Sequence, residues 1–205
     1  MFFASEIVLL GSYEISSFSA LVIASALSTV VSRAWYGEVP AFPIPDYAIV
    51  NAFVELPLYT LMAVLVGVAA ALYIRMFYSV RDWFQGLRLH DQAKPLLGGG
   101  IAIFLPQVMG NGYDYIAKTL AGDALVWRMA VLVGLKSLAT AVTLGSGNGG
   151  GAFAPSVFIG AVLGGAFGGI VHQLLPESTA TAGAYATVCI GAFLAASTHA
   201  PLTAI

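Results

Sequence analysis

Charge is what this sequence has least of. Of its 205 residues only 9% are charged, against 59% hydrophobic. Soluble domains carry about 25% charged residues. The chain therefore lacks the polar surface to cover a water-exposed globule and is expected in a lipid bilayer. Its net charge of −2 gives no basic face for nucleic acid. Cysteine is nearly absent: Cys189 stands alone in an apolar run, so no intrachain disulfide can form. The opening MFFASEIVLL has no basic residues ahead of its apolar stretch and does not read as a signal peptide. His172 and His199 lie far apart without metal-ligand spacing, and no serine stands in workable relation to a histidine and a carboxylate. Neither a metal, nor a cofactor, nor an enzymatic activity is expected.

What the chain does have is long apolar runs. A membrane-spanning helix needs about 20 mostly apolar residues. Candidate spans are 16–34, 54–78, 95–109, 124–144, 155–175 and 183–197, the third and sixth short enough to be buried or incomplete crossings. After Lys136 the only charged residue is Glu177. Residues 75–94 hold Arg75, Arg81, Arg88 and Lys94, half of all Lys and Arg, whereas 35–53 holds Glu38 and Asp46 and no basic residue. Basic loops stay inside, so the 75–94 loop is expected to be cytoplasmic and the 35–53 connector external. MGNGYDY reads as a turn, followed by a short amphipathic piece at 114–122 that fits a re-entrant or interfacial helix. The fold class is all-α, a polytopic membrane protein. Met1 starts inside an apolar run, and THAPLTAI ends where Pro201 would begin a helix. The chain thus reads as an internal piece of a longer protein.

The stretch GSGNGGGAFAP, Gly145 to Pro155, has five glycines in its first seven residues. Gly145, Gly147 and Gly150 fit the dinucleotide pattern G-x-G-x-x-G. That pattern needs a buried strand before it and an acidic residue about 20 positions on. Here a helix-length, Ala- and Leu-rich run precedes it, and nothing acidic follows before Glu177. The other reading is a helix start within the membrane, with Pro155 at the first helical position. Backbone amides of Gly151, Ala152, Phe153 and Ala154 would then face a space at the positive end of the helix dipole, which suits an anion. Non-helical backbone at membrane depth is tolerated where it is buried in protein or lines a cavity. One helix end contributes about 0.3–1 kcal/mol, up to ~2 when partly buried. Dehydrating an ion costs several kcal/mol, so other groups must complete such a site. A tight turn that merely lets helices approach is the competing reading. Downstream, Gly160, Gly164 and Gly168, with Gly165 and Gly169 beside them, read as packing positions.

These residues resemble a known family. GSGNGGGAFAPSVFIGAVLGGAFG is similar to a segment of CLC chloride channels and proton-coupled anion exchangers, whose pattern is roughly G-S-G-x-x-G-G-x-F-A-P. GAFLAASTHAPLTAI, FFASEIVLL and FLPQVMGNGY resemble other segments of that family, in the same order, over essentially all 205 residues. The resemblance implies a partial CLC transmembrane transport domain, residues 1–205, with tilted, discontinuous and re-entrant helices. It implies transport of chloride or a similar small anion, with chloride as the bound ion. Gly151, Ala152, Phe153, Ala154 and Pro155 would be the anion-binding motif, the amides of Ala152 and Phe153 its donors. Gly149 departs from the family, where many members have proline. The other filter pieces (an early serine loop, a gating glutamate and a late tyrosine) are not found in these residues. The family forms homodimers with one pathway per subunit, and 1–9 and 19–35 would contribute to the interface.

Two charges fall within apolar runs. An ionisable group there is a functional candidate. Glu6 lies near the position where exchangers of the family carry an acidic proton relay. The matching slot holds Ile7, which weighs against Glu6 as the relay; Glu6 is kept as a candidate, and a passive channel or a differently wired exchanger stays open beside proton coupling. A carboxylate snorkelling at a helix end is the plainer reading. Lys136 lies mid-span, nine residues before Gly145. It is a candidate for electrostatic support of an anion, or it pairs with a carboxylate or with helix C-terminal carbonyls.

Overall fold

The computed structural model describes residues 15–37, 45, 47, 50–87, 90, 93–96, 100 and 109–198. Among these, six helices of more than one turn follow in order: α1 Ile15–Tyr36, α2 Ala52–Gly86, α3 Tyr113–Ala121, α4 Val126–Gly145, α5 Phe153–Leu174 and α6 Ala182–Thr198. The fold is all-α, and α2, α4 and α5 are long and apolar enough to cross a membrane. Most of the expected third span, 95–109, and Glu6 lie outside the described residues.

Helix α5 is central because it is apolar all round, which suits a helix buried among others. Its Ile159 and Val171 join a core with Met62, Val66, Tyr73, Tyr185 and Phe193 of α2 and α6. Its Val157, Phe158, Ala161 and Val162 join another with Ile116, Leu120, Met129 and Leu132 of α3 and α4. The glycine row faces α6. A methyl on Gly160 would lie 2.7 Å from the Ile190 Cα, and one on Gly164 would lie 2.6 Å from the Tyr185 carbonyl oxygen. At Gly168 it would lie 2.7 Å from the Tyr185 Cβ. Gly165 and Gly169 face the other way, against Met129 and Val126 of α4. The five glycines are packing positions, as their spacing suggests.

Helix α2 corrects one expectation. Asn51 caps its start, accepting from the Phe53 amide at 3.1 Å. The helix then runs 35 residues to Gly86, not to 78. Arg75 and Arg81 therefore sit on a helix rather than in a 75–94 loop. No breaker occurs between 79 and 85, and Phe84, 1% exposed, buries against the core. At 1.5 Å per residue the helix is about 50 Å long, against ~30 Å of hydrocarbon, so the basic end has length to reach water. Met62, Val66, Ala70 and Tyr73 line its buried stripe, while Val64, Val68 and Leu72 face outward, as a lipid-facing side would.

Glu55 carries a role that its place in the sequence does not announce. It lies in the first turn of α2 and is 0% exposed. Its Oε1 accepts from the Ala180 amide at 2.9 Å and the Val50 amide at 3.1 Å. One carboxylate thus ties the turn between α5 and α6 to the connector ahead of α2. The same peptide is held from its other side: His172 Nδ1 lies 3.2 Å from the Thr179 carbonyl oxygen. Nearby, the Tyr47 hydroxyl donates to the Leu120 carbonyl at 2.8 Å, and burial raises its phenol above the ordinary range.

A valine at Gly164 should abolish stable folding, whereas Gly67→Ala, with open space around its Cβ, should leave thermal unfolding unchanged or slightly raised. Glu55→Ala strands the buried Ala180 amide, at a cost of about 1–3 kcal/mol. Unfolding midpoints in detergent should fall further for this variant than for Glu55→Gln, which keeps the Oε1 acceptor.

Candidate functional site: a cavity at the start of helix α5

Helix α4 stops at Gly145 because the chain there turns left-handed. The Ser146 amide donates to the Val142 carbonyl at 3.0 Å and the Asn148 amide to the Thr143 carbonyl at 3.2 Å. Gly147 takes φ +91° between them, a conformation that favours glycine. Gly145 is small for another reason: a Cβ would lie 3.2 Å from the Arg81 backbone of α2. Two glycines of the dinucleotide pattern therefore have local structural roles, and the segment before them is the helix α4. A pyrophosphate loop is excluded on geometry.

Asn148 anchors the turn. Its side-chain amide donates to the Pro95 carbonyl at 3.1 Å and to the Ser146 hydroxyl at 3.0 Å. Nothing in the sequence singles out this residue, since an Asn among glycines reads simply as loop. Beyond it, Gly149 and Gly151 lie outside the left-handed region, and a Cβ added to either would meet nothing within 4 Å. Packing does not require glycine at either.

Helix α5 begins at Phe153, with Ala152 as N-cap and no side-chain cap hydrogen bond. Pro155 is thus the third helical position, not the first. Amides through the third helical position have no intrahelical acceptor. Among the described residues no main-chain carbonyl takes the Ala152 amide.

This helix start borders a cavity of about 730 Å³. Gly149, Gly150, Gly151, Phe153, Ala154 and Pro155 line one side, and Ala152 lies at the bend between them without lining it. Opposite are Lys136, Ala139, Thr140 and Thr143 of α4, with Met109, Gly110 and Asn111 completing the wall. Lys136, Thr140 and Thr143 recur at i, i+4 and i+7, one helix face. That polar stripe in an apolar span is the available sequence signal for the two threonines. Their hydroxyls donate to carbonyls four residues back, each at 2.8 Å.

Lys136 is 3% exposed. Its Nζ donates to the Gly110 carbonyl at 2.6 Å and lies 5.1 Å from the Phe158 ring centroid. Of the two roles open to it, the geometry brings Lys136 to the same cavity as 149–155 while binding it to a carbonyl. That carbonyl belongs to the 109–112 turn rather than to a helix end.

These features define a class first: a multi-pass α-helical membrane protein whose helix start borders a partly open cavity. The particular family follows from comparison with known proteins. Residues 1–205 match the voltage gated chloride channel family, and the chain belongs to it. A ClcB-like protein of Ralstonia nicotianae is 32% identical over 99% of this chain and 48% of its own length. The chloride channel protein CLC-f of Arabidopsis thaliana is 34% identical over 90% of this chain and 26% of its own. The H(+)/Cl(−) exchange transporter ClcA of Vibrio campbellii is 29% identical over 94% and 43%. The chain spans about half the length, or less, of these curated relatives. It falls among channels and exchange transporters, not enzymes.

Asn148→Ala should free the turn from Pro95. Amide hydrogen exchange across 146–151 should then speed up about threefold to tenfold, as expected for a lost neutral hydrogen bond, while exchange in α5 and α6 stays unchanged.

Proposed function

We propose that this chain supplies one part of an anion pathway of the CLC type, within a transport domain completed by segments beyond these residues. The central ion is chloride or a similar small anion. It would sit in the cavity at the α5 start, with the Phe153 and Ala152 amides as donors, Gly151, Ala154 and Pro155 shaping the turn, and Lys136 raising the local positive potential. The observation that carries this reading is Gly151. It faces open space where neither packing nor backbone conformation requires glycine, beside a helix end with no side-chain cap. A guest that must approach the main chain closely explains both features.

Energetics favours a shared site. A helix end contributes at most ~2 kcal/mol, against several for dehydrating an ion. The serine, glutamate and tyrosine elements that the family resemblance implies would supply the rest. In the same reading the protein is a homodimer with residues 1–9 and 19–35 near the interface. The basic segment at 75–94 faces the cytoplasm. Glu6 is the candidate inner proton relay if the protein exchanges chloride for protons.

Gly151→Leu tests the loop. The cavity gives the side chain room, so the protein should fold and keep its gel-filtration profile. Chloride efflux from liposomes holding the full-length protein should nonetheless be lost. Efflux at the unmodified rate would remove the loop from the pathway.

A further inference from the structure

Ser156 is a hydroxyl in the most apolar of the described helices, and it is 0% exposed. A buried hydroxyl is costly unless it is hydrogen-bonded. Its Oγ donates to the Ala152 carbonyl at 2.8 Å, and its own amide donates to the same oxygen at 3.1 Å. The Ser156 proton is thereby committed. At the 3.0 Å contact between the Ser197 and Ser156 hydroxyls Ser197 is the donor, and this is the shorter of the two contacts open to its proton, the Leu194 carbonyl lying at 3.3 Å. A chain of hydrogen bonds therefore runs from the last turn of α6 through Ser156 to the Ala152 carbonyl, joining residues 41 positions apart.

The Ala152 carbonyl and the Phe153 amide belong to one peptide. A trans peptide is planar, with its C=O and N–H pointing in opposite directions. Two donors on the Ala152 oxygen draw it toward the body of α5. The Phe153 N–H must then point back toward 149–151 and the cavity that Phe153 lines. We infer that Ser156 and Ser197 are a positioning pair: Ser197, acting through Ser156, fixes the tilt of the Ala152–Phe153 peptide and so the fit of the site to the size of its anion. This inference rests on the anion reading of the cavity and names how that site is tuned. Neither serine touches the ion.

A back-bonded serine also occurs as a plain feature of membrane helices. That role would change stability without changing which anion is preferred, so the test reads preference. In the full-length protein, chloride and thiocyanate binding are measured by titration calorimetry for the unmodified protein, Ser197→Ala, Ser197→Thr and Ser156→Ala. Ser197 is half-buried, so its variants should fold. Removing its hydroxyl should weaken chloride binding about threefold to tenfold, the range of a lost neutral hydrogen bond. Thiocyanate should be affected less, so the chloride-to-thiocyanate preference falls. Threonine at 197 keeps the hydroxyl and should restore both values, and Ser156→Ala should match or exceed the loss. An unchanged affinity and preference in Ser197→Ala, with chloride still bound by the unmodified protein, would overturn the positioning role and leave the anion site standing. If the unmodified protein binds no chloride, the site reading fails and the positioning role falls with it.

Discussion

The contact between the backbones of α5 and α6 is the constraint on which the rest depends. Lipid is as apolar as the side chains, so burial alone does not hold membrane helices together; close packing does. Gly160, Gly164 and Gly168 let the two helices approach until α5 lies against the Ile190 Cα and the Tyr185 carbonyl. That approach sets the position of the α5 start relative to the last turn of α6. It brings Ser197 to Ser156, and it puts the cavity-bordering turn beside α4 rather than against lipid. A larger residue at Gly164 would displace all three at once.

A second set of ties holds the opposite end of the bundle. Glu55 binds the Ala180 amide and the Val50 amide with one oxygen, while His172 meets the other side of the same peptide. Two backbone donors converge on Oε1 of this buried carboxylate while its Oε2 has no hydrogen-bond partner among the described residues, and its place in the first turn of α2, where the helix dipole favours negative charge, offsets part of the cost of burial. The far end of α5 and the cavity end are thus secured by different means. Charged and main-chain groups hold one, hydroxyls and an asparagine the other. Between them α5 is held by shape alone.

Much of this architecture is legible in the residues. Helix ends for α1, α4, α5 and α6 fall within two residues of the apolar runs, because an unbroken apolar stretch in lipid has no better option than a helix. The amphipathic piece at 114–122 emerges as α3, Tyr113–Ala121. The departures have local causes. Charge alone makes 75–94 read as loop, yet arginines are good helix formers and can carry a helix beyond the bilayer. Proline fits each position of the first turn, so Pro155 by itself does not fix the helix start, which falls two residues earlier. Asn148 and Glu55 are not legible because their partners, Pro95 and Ala180, lie 53 and 125 residues away. No pattern along the chain records such pairings.

By itself the sequence determined the solvent, the class of fold, the family and the stretch of chain that would border a cavity, since these follow from composition, run length and a motif carried on consecutive residues. Only the tertiary structure decided which of the loop glycines serve packing or conformation and which face open space. It alone decided that Lys136 shares the cavity through the 109–112 turn, and that hydroxyls from two helices meet above the Ala152 carbonyl. Those outcomes depend on distances between segments far apart in the chain, and such distances are set only when the helices pack.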